Sequence, residues 1–397
     1  MIHNPKAIFA AACMGMLLFG VSMISLGSCL PEIAAKLQLS QLQGGGLAST
    51  LPLGILAGSV LFGLPADRFG FKGLLLGCCV LVMAGLQGIA FGSKLWEVQL
   101  SVFLIGAGGG ALNGATNALV ADTSTGNKGA NLSLLGVFFG LGALGMPVLL
   151  ALLTRHFSRE YIIAGIGWAI VPIVLYIALL VFPQPKQKQG FPLRQGLKLI
   201  KNTALLMLSL LLFVQSGLEG LLSNWTTSYL QFALDISTEK ALWALTVYMA
   251  ALTAMRLLLG ALLRRFSSFA ILLGGCLLGL AGCLLLWQTA AFLPAMLAFG
   301  LLGMGFSGVF PIVLGKIGER WASLSGTAFS IALTLALFGN IGINYLIGVV
   351  AHYYDLSIFP LLLLLCMLLF VLAVLATRPL FSTSPKSNTH TSPGQQP

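Results

Sequence analysis

Runs of about twenty apolar residues recur from one end of this chain to the other, and they limit its fold more than any other feature. Only 8% of the 397 residues are charged, whereas a typical soluble domain has about 25%. A run of roughly 20 apolar residues is long enough to cross a lipid bilayer as a helix. The sequence therefore predicts an all-α membrane protein.

Twelve runs meet this length. Their approximate limits are 7–30, 43–64, 73–92, 97–120, 130–153, 161–182, 204–230, 241–262, 269–288, 292–314, 325–350 and 357–377. The first run resembles a cleavable signal peptide, but Gly27 breaks the cleavage pattern and eleven further runs follow it. We therefore predict twelve transmembrane helices.

A polar connector divides the twelve spans into two sets of six. It covers 183–203 and carries five positive charges and no acid. We predict an N-terminal bundle at 1–182 and a C-terminal bundle at 204–381. The Ser/Thr/Pro-rich tail at 382–397 has the composition of a disordered segment.

The two halves also align with each other at a fixed offset of 197 residues. Glycines in four pairs of spans then coincide, for example Gly20 with Gly217 and Gly142 with Gly339. A repeat of this kind predicts two pseudo-symmetric six-helix bundles. Such repeats are typical of secondary transporters, whose substrate site lies at the interface of the repeats.

Lysine and arginine are distributed unequally between the two sides of the predicted membrane. Fifteen lie on the side of the termini and the connector, five lie on the other side, and Arg256 lies within a span. Because positive residues concentrate in cytoplasmic segments, both termini are predicted to be cytoplasmic, in the cytoplasmic (inner) membrane. The net charge of +11 thus indicates orientation, and we expect no nucleic-acid partner.

The segment "GLPADRFGFKG", residues 63–73, joins spans two and three. It resembles the signature loop of the major facilitator superfamily, G-x-L-x-D-R-x-G-R-[RK], from which it departs at Pro65 and Phe71. Five residues match: Gly63, Asp67, Arg68, Gly70 and Lys72. The resemblance implies alternating access and a gating role for these five residues, with the Asp67 carboxylate capping a neighbouring helix N-terminus.

Within that superfamily the chain resembles the fucose permease-like sugar–proton symporters. Span seven carries the features typical of this group: Gly217, Glu219, Trp225, Tyr229 and Leu230. The glycine-rich spans four and ten agree with it. That group often has acids in spans one and four, whereas this chain has Ser22 and Asn113 in the corresponding places. Proton coupling through those two positions is therefore not expected.

Glu219 is the only charged residue between Lys201 and Asp235. A carboxylate in hydrocarbon is costly and usually faces a bundle interior or a water-filled cavity. Counting helical rise from the span ends places Glu219 about 15 Å from Arg256 in height, so the two are predicted to be poor partners. An unpaired, buried carboxyl favours its protonated form, which makes Glu219 a candidate coupling group. The alternative is a neutral glutamic acid that only orients helices.

Neutral polar and aromatic residues within the spans provide a candidate substrate site. A sugar needs donors, acceptors and an aromatic platform. The candidates are Asn113, Asn117, Gln215, Asn224, Trp225, Tyr229, Tyr248 and Asn340. The alternatives are interhelical hydrogen bonding for the amides and an interfacial aromatic belt for Trp225 and Tyr229.

These features predict a monomeric secondary active transporter that imports a small, mostly uncharged polar solute, with a sugar favoured, coupled to a cation. The alternative is a proton-driven drug or metabolite exporter of the same fold. An enzyme is not expected, because no histidine lies mid-span and no nucleophile–base or metal-ligand spacing appears. We expect no cofactor and no metal site, only a proton or sodium as coupling ion, and the lipid bilayer as surroundings.

Overall fold

The computed structural model describes residues 4–61, 63–123, 128–182, 199–321 and 325–382. Within these ranges the chain is helical almost throughout and contains no strand. Twelve helices follow the predicted order: α1 (Pro5–Leu37), α2 (Gln41–Leu61), α3 (Gly63–Phe91), α4 (Leu95–Thr123), α5 (Lys128–Leu153), α6 (Arg159–Trp168 and Val171–Leu179), α7 (Thr203–Phe232), α8 (Thr238–Leu262), α9 (Ser268–Trp287), α10 (Phe292–Phe306 and Val309–Arg320), α11 (Ser325–Tyr354) and α12 (Phe359–Ala376). A short α13 (Arg378–Ser382) follows.

Length and composition agree with a membrane protein. In the described part of the chain, 11 helices are long and apolar enough to cross a membrane. The remaining predicted span falls on α2, which has 21 residues and is not among those 11. The predicted all-α fold is thus confirmed. The first span is longer than predicted, because α1 continues past residue 30 to Leu37 and ends where Gln38 adopts a left-handed conformation with φ 51°.

Polar side chains fix the beginnings of three helices. Asn4, Asn202 and Ser267 precede α1, α7 and α9, and each accepts a hydrogen bond from backbone N–H groups of the following turn. Such caps satisfy donors that have no partner within the helix. These three helices therefore begin one or two residues before the apolar runs.

The glycine repeat has a structural basis. Gly142 of α5 lies against the backbone carbonyl of Leu17 in α1, and Gly339 of α11 lies against that of Phe213 in α7, so closely that a Cβ would overlap either carbonyl. The same helix pair is thus held by a glycine contact at the same position in each half. This explains the offset of 197 residues. The domain limits stay a prediction, and most of the connector and tail lie outside the described residues.

The two halves meet closely at one end of the bundle, which we call the Glu32 side after the residue near the end of α1. Consecutive helices alternate in direction, so this end also holds the start of α2 and the end of α11. Gly45 of α2 lies against Gly348 of α11, and Ser49 Oγ donates to the Ile341 carbonyl at 2.9 Å. The opposite end, which holds the start of α7, is the linker side. The structure therefore shows the Glu32 side closed.

We expect Gly45→Leu to open the Glu32 side. A Cβ at Gly45 would stand 2.7 Å from the Gly348 Cα, so the two helices must separate. Overpacking of this kind costs about 1–3 kcal/mol, which corresponds to roughly 5- to 150-fold faster modification of a cysteine that opening exposes. Thr227→Cys supplies that cysteine, because Thr227 is 1% exposed and its hydroxyl donates to the Gly27 carbonyl of α1. The measurement is labelling by a membrane-impermeant maleimide.

Gly46→Leu is the matched control, since a Cβ there meets no atom within 4 Å. It should leave the labelling rate of Thr227→Cys unchanged. Equal rates in the two leucine variants would show that the glycine contact does not hold this side closed.

The signature loop lies on the linker side, at the start of α3. Gly70 has φ 71° and ψ 172°, and this break separates the first turns of α3 from the membrane-spanning part. That region of backbone space is essentially restricted to glycine. Lys72 is partly buried, whereas the side chains of Asp67 and Arg68 and the surroundings of Gly63 lie outside the described part. The gating role of the loop stays a prediction.

Gly70→Ala should destabilise the protein by about 1–3 kcal/mol, because alanine does not adopt this backbone conformation without strain. The measurement is the free energy of unfolding in detergent. Gly77→Ala is the control on the same helix, since a Cβ there meets open space and alanine favours the helix. A Gly70→Ala protein as stable as Gly77→Ala would contradict the strain argument.

Candidate functional site

The centre of the candidate site is the carboxylate of Glu219 on α7. Gln215, one turn earlier, donates from Nε2 to Glu219 Oε1 at 2.8 Å. Arg256 on α8 places Nη2 at 3.3 Å from the same oxygen. The side chains of Glu219 and Arg256 are 20% and 30% exposed, so the pair is largely desolvated but not sealed. Two helices thus present a partly accessible ion pair inside the bundle.

The prediction that Arg256 and Glu219 are poor partners is wrong. It rested on the helical rise along spans seven and eight, and it assumed that their linker-side ends lie at the same depth in the membrane. The structure gives α7 30 residues and α8 25 residues, and the observed contact shows that their linker-side ends are not level. The long arginine side chain spans the remaining distance. Arg256 therefore lies beside the Glu219 carboxylate and compensates its charge.

A break in α10 supplies two further partners. Gln215 Nε2 donates to the Phe306 carbonyl at 3.3 Å, and Arg256 Nε donates to the Ser307 carbonyl at 3.4 Å. Pro311, four residues after Ser307, has no backbone N–H to bond that carbonyl. The Phe-Pro sequence of span ten therefore leaves an acceptor free for the arginine. α7, α8 and α10 are joined at this point.

Two buried amide oxygens of α7 have no hydrogen-bond partner among the described residues. They are Gln215 Oε1, beside Glu219, and Asn224 Oδ1, further along the helix. The Tyr248 side chain of α8 is 0% exposed, and its hydroxyl has Ser223 of α7 as a hydrogen-bonding neighbour. A buried polar group without a partner costs about 1–3 kcal/mol. Their presence favours a role in which another conformation or a solute supplies the partner.

A second polar cluster joins α7 to α11. Asn344 Oδ1 accepts from Asn224 Nδ2 and from the Trp225 indole, both at 3.1 Å. Asn344 Nδ2 donates to Asn340 Oδ1 at 2.9 Å, and Asn340 Nδ2 donates to the Ser216 carbonyl at 2.8 Å. Trp225 is 1% exposed, so it does not belong to an interfacial belt. The indole is held by an amide network beside the closed Glu32 side.

Asn344 was absent from the predicted site residues, although it is the centre of this cluster. The signal in the sequence is its spacing of four from Asn340, which places both amides on one helix face. Gly220 allows the contact, since a Cβ there would stand 2.4 Å from Asn340 Oδ1.

The remaining predicted substrate residues lie in other contacts. Asn117 Nδ2 donates to Asn113 Oδ1 at 3.0 Å, so this pair is bonded along α4 in the other half. The ring of Tyr229 stacks on Phe359 of α12 with a centroid distance of 4.9 Å. Their roles in substrate binding stay predictions. In the described part of the chain, no group of three or more His, Cys, Asp or Glu residues is arranged to hold a metal ion.

A family sequence model decides the class of protein. The model for the Major Facilitator Superfamily matches residues 11–343, which is most of the chain. The chain belongs to this superfamily. It is therefore an integral membrane protein whose family and fold are those of transporters. The resemblance of the signature loop to that of the major facilitator superfamily is confirmed at this level.

Two relatives whose names state a function each match only part of the chain. A D-xylose transporter of Levilactobacillus brevis is 27% identical over 183 residues, which are 45% of this chain and 39% of the relative. The multidrug resistance protein MdtH of Aeromonas salmonicida is 31% identical over 147 residues, 36% of this chain and 35% of the relative. The chain thus matches about two fifths or less of the length of either relative.

Solved structures match the whole fold. The crystal structure of a D-xylose–proton symporter superimposes with a TM-score of 0.75 at 16% identity, covering 92% of this chain and 97% of that one. The crystal structure of the nucleoside transporter NupG gives a TM-score of 0.76 at 14% identity, covering 96% of this chain and 99% of that one. At these identities the likeness shows the fold alone.

Proposed function

We propose that this superfamily member imports a small, mostly uncharged polar solute, with sugars favoured, by alternating access coupled to a cation. The observation that carries the proposal is the partly exposed Glu219 carboxylate, bonded to Gln215 and Arg256 inside the bundle. An ionisable residue at such depth usually marks an ion or substrate pathway. The coupling ion is a proton or sodium, with Glu219 as its site.

The partners of Glu219 give this site two states. While Glu219 is ionised, it holds Arg256 of α8, which also bonds the Ser307 carbonyl of α10. Neutralising the carboxylate removes the charge attraction and frees the guanidinium to move. Because the ion pair joins two helices of one half, a proton on Glu219 would change how α7 packs on α8. An ion that binds one conformation better shifts the population toward it.

Neutral groups near the ion pair favour an uncharged substrate. Gln215 and Asn224 offer amide oxygens without protein partners among the described residues, and hydroxyl groups of a sugar match them. The partial similarity to a D-xylose transporter supports the same class of solute. An anionic solute would compete with Glu219 for Arg256 and leave one carboxylate unpaired.

A proton-driven exporter is the second candidate, since the multidrug resistance relative matches 36% of the chain. A largely desolvated ion pair also occurs where a proton is exchanged for a cationic solute. The two candidates differ in direction and in solute polarity. We also propose that both termini face the cytoplasm of the inner membrane, from the ratio of 15 to 5 positive residues, and that the chain acts as a monomer.

Transport by the purified chain in proteoliposomes separates the two candidates. Uptake of a panel of labelled pentoses, hexoses and nucleosides should exceed that of empty liposomes, and an imposed proton or sodium gradient should drive accumulation of at least one sugar. Failure of every sugar together with gradient-driven movement of lipophilic cations would reject the import proposal and support export.

A further inference from the structure

A basic cavity opens on the linker side of the C-terminal half, apart from the Glu219 site. It has a volume of about 380 Å³ and lies between the α8–α9 turn, the end of α10 and α13. Lys316 and Arg378 line it, together with the hydroxyls of Ser267 and Ser268. Glu319 is the acid among its lining residues and lies 3.4 Å from Lys316. Two cations therefore face one carboxylate, which leaves the mouth of this cavity positive.

The cationic groups are held in place. The Arg378 guanidinium lies 6.0 Å from the ring centroid of Phe269, whose ring packs on Phe381. The side chain of Lys316 is 17% exposed, so its stem is buried and only its end reaches the cavity. Both positive groups are thus positioned by aromatic or apolar contacts, at the level where α9 begins.

An apolar groove continues from this cavity along the same helices. It has a volume of about 480 Å³ and is lined by successive turns of α8, α9 and α10. On α9 its lining runs from Ala270 through Gly274 to Leu278, which is about 12 Å of helical rise. Leu259 of the groove lies one turn before Leu263 of the basic cavity on α8, and Gly308 of the groove lies one turn before Ile312 of the cavity on α10, so each pair shares a helix face. The basic mouth and the groove therefore form one elongated surface.

Two neighbouring glycines of α9 show how the groove is built. Gly275 packs on α10, because a Cβ there would stand 2.4 Å from the Gly305 carbonyl. At Gly274 a Cβ would meet no atom within 4 Å. α10 is thus the floor of the groove, and Gly274 marks open space above it. Leu277, on its edge, is 62% exposed, as suits a surface that faces lipid.

We propose that this surface binds one anionic phospholipid, with the phosphate at Lys316 and Arg378 and an acyl chain along Gly274. Anionic headgroups bind basic pockets between membrane helices on the cytoplasmic side. A free phosphate would bind the cations but leave the apolar groove uncovered, whereas a phospholipid matches both parts. The site is independent of the proposed transport function.

The floor of this site is shared with the Glu219 centre. Ser307 of α10 lines the groove, and its carbonyl accepts the hydrogen bond from Arg256 Nε. The lipid and the ion pair thus lie on either side of one helix break. An acyl chain seated in the groove would therefore contact the same helix break as the ion pair.

Native mass spectrometry of the purified full chain tests the site, with phosphatidylglycerol and phosphatidylcholine as competing probes. The unaltered protein should retain phosphatidylglycerol preferentially. Each cation near an anionic surface contributes about fivefold in affinity, so Lys316→Gln/Arg378→Gln should lose roughly 25-fold and bind both lipids equally. Gly274→Leu fills the groove and should lower retention of both lipids.

Gly315→Leu is a second filling variant, since Gly315 lines the basic cavity and a Cβ there also meets open space. Gly165→Leu on α6 is the matched control outside the site, because its Cβ likewise meets no atom. Each variant is compared as a monodisperse protein. Equal retention of the two lipids by the unaltered protein would overturn the proposal, as would unchanged retention in the glutamine variant or in both filling variants.

Discussion

Glu219→Gln should abolish gradient-driven accumulation and leave solute exchange across the membrane intact. Glutamine keeps the length of the side chain and an oxygen that can accept from Gln215, but it does not titrate. If Glu219 carries the coupling proton, the accumulation ratio should fall to about one under a gradient that drives the unaltered protein. Counterflow of labelled against unlabelled solute, which needs no gradient, should continue. Both assays use the same proteoliposomes.

The control is Glu160→Gln at the start of α6, in the other half of the molecule. It should accumulate solute as the unaltered protein does. Loss of binding in Glu219→Gln would instead make Glu219 a substrate-gripping residue, and normal accumulation would exclude it as the coupling group. Measuring binding, exchange and accumulation on one variant therefore distinguishes coupling, recognition and a structural role.

The helical fold could be predicted from the sequence because crossing a bilayer requires an uninterrupted apolar segment of about 20 residues, and few other structures require one. Each apolar run of about 20 residues had one physical interpretation, and the helix limits follow the runs except at the end of α1, the start of α3 and the end of α10. The glycine repeat was also informative. Gly142 of α5 packs against α1 and Gly339 of α11 packs against α7, and neither contact leaves room for a Cβ. The extension of α1 past residue 30 was missed, because Glu32 ended the apolar run while the helix continued.

The site was only partly predictable, because it depends on relative heights that sequence does not encode. Glu219 and Gln215 were found from their type and depth. Their link to Arg256 was missed, since helical rise fixes positions along one helix but not between two. The free carbonyl of Ser307 follows from Pro311, yet its partner lies 51 residues earlier in the chain. A contact between residues so far apart in the sequence can be identified only once the packing of the helices is known.

The Glu219–Arg256 pair should show a large coupling energy in a double-mutant cycle. Removing one partner of a buried pair costs about 3–5 kcal/mol, because the other charge is left without compensation. Partial exposure of both side chains lowers this, so Arg256→Gln should lower the free energy of unfolding by about 1–3 kcal/mol. Glu219→Gln/Arg256→Gln should recover most of that loss, because no charge remains to be desolvated. The measurement is denaturant unfolding in detergent.

Arg155 and Glu239 provide the control cycle in the same chain. Arg155 Nη2 lies 2.7 Å from Glu239 Oε1, closer than in the Glu219 pair, but the Arg155 side chain is 68% exposed. Exposed pairs gain little because water and salt screen them. The coupling energy should therefore follow burial and not distance. A larger coupling for Arg155–Glu239 than for Glu219–Arg256 would mean that Glu219 is well solvated, and its charge could then change without moving α7, α8 or α10.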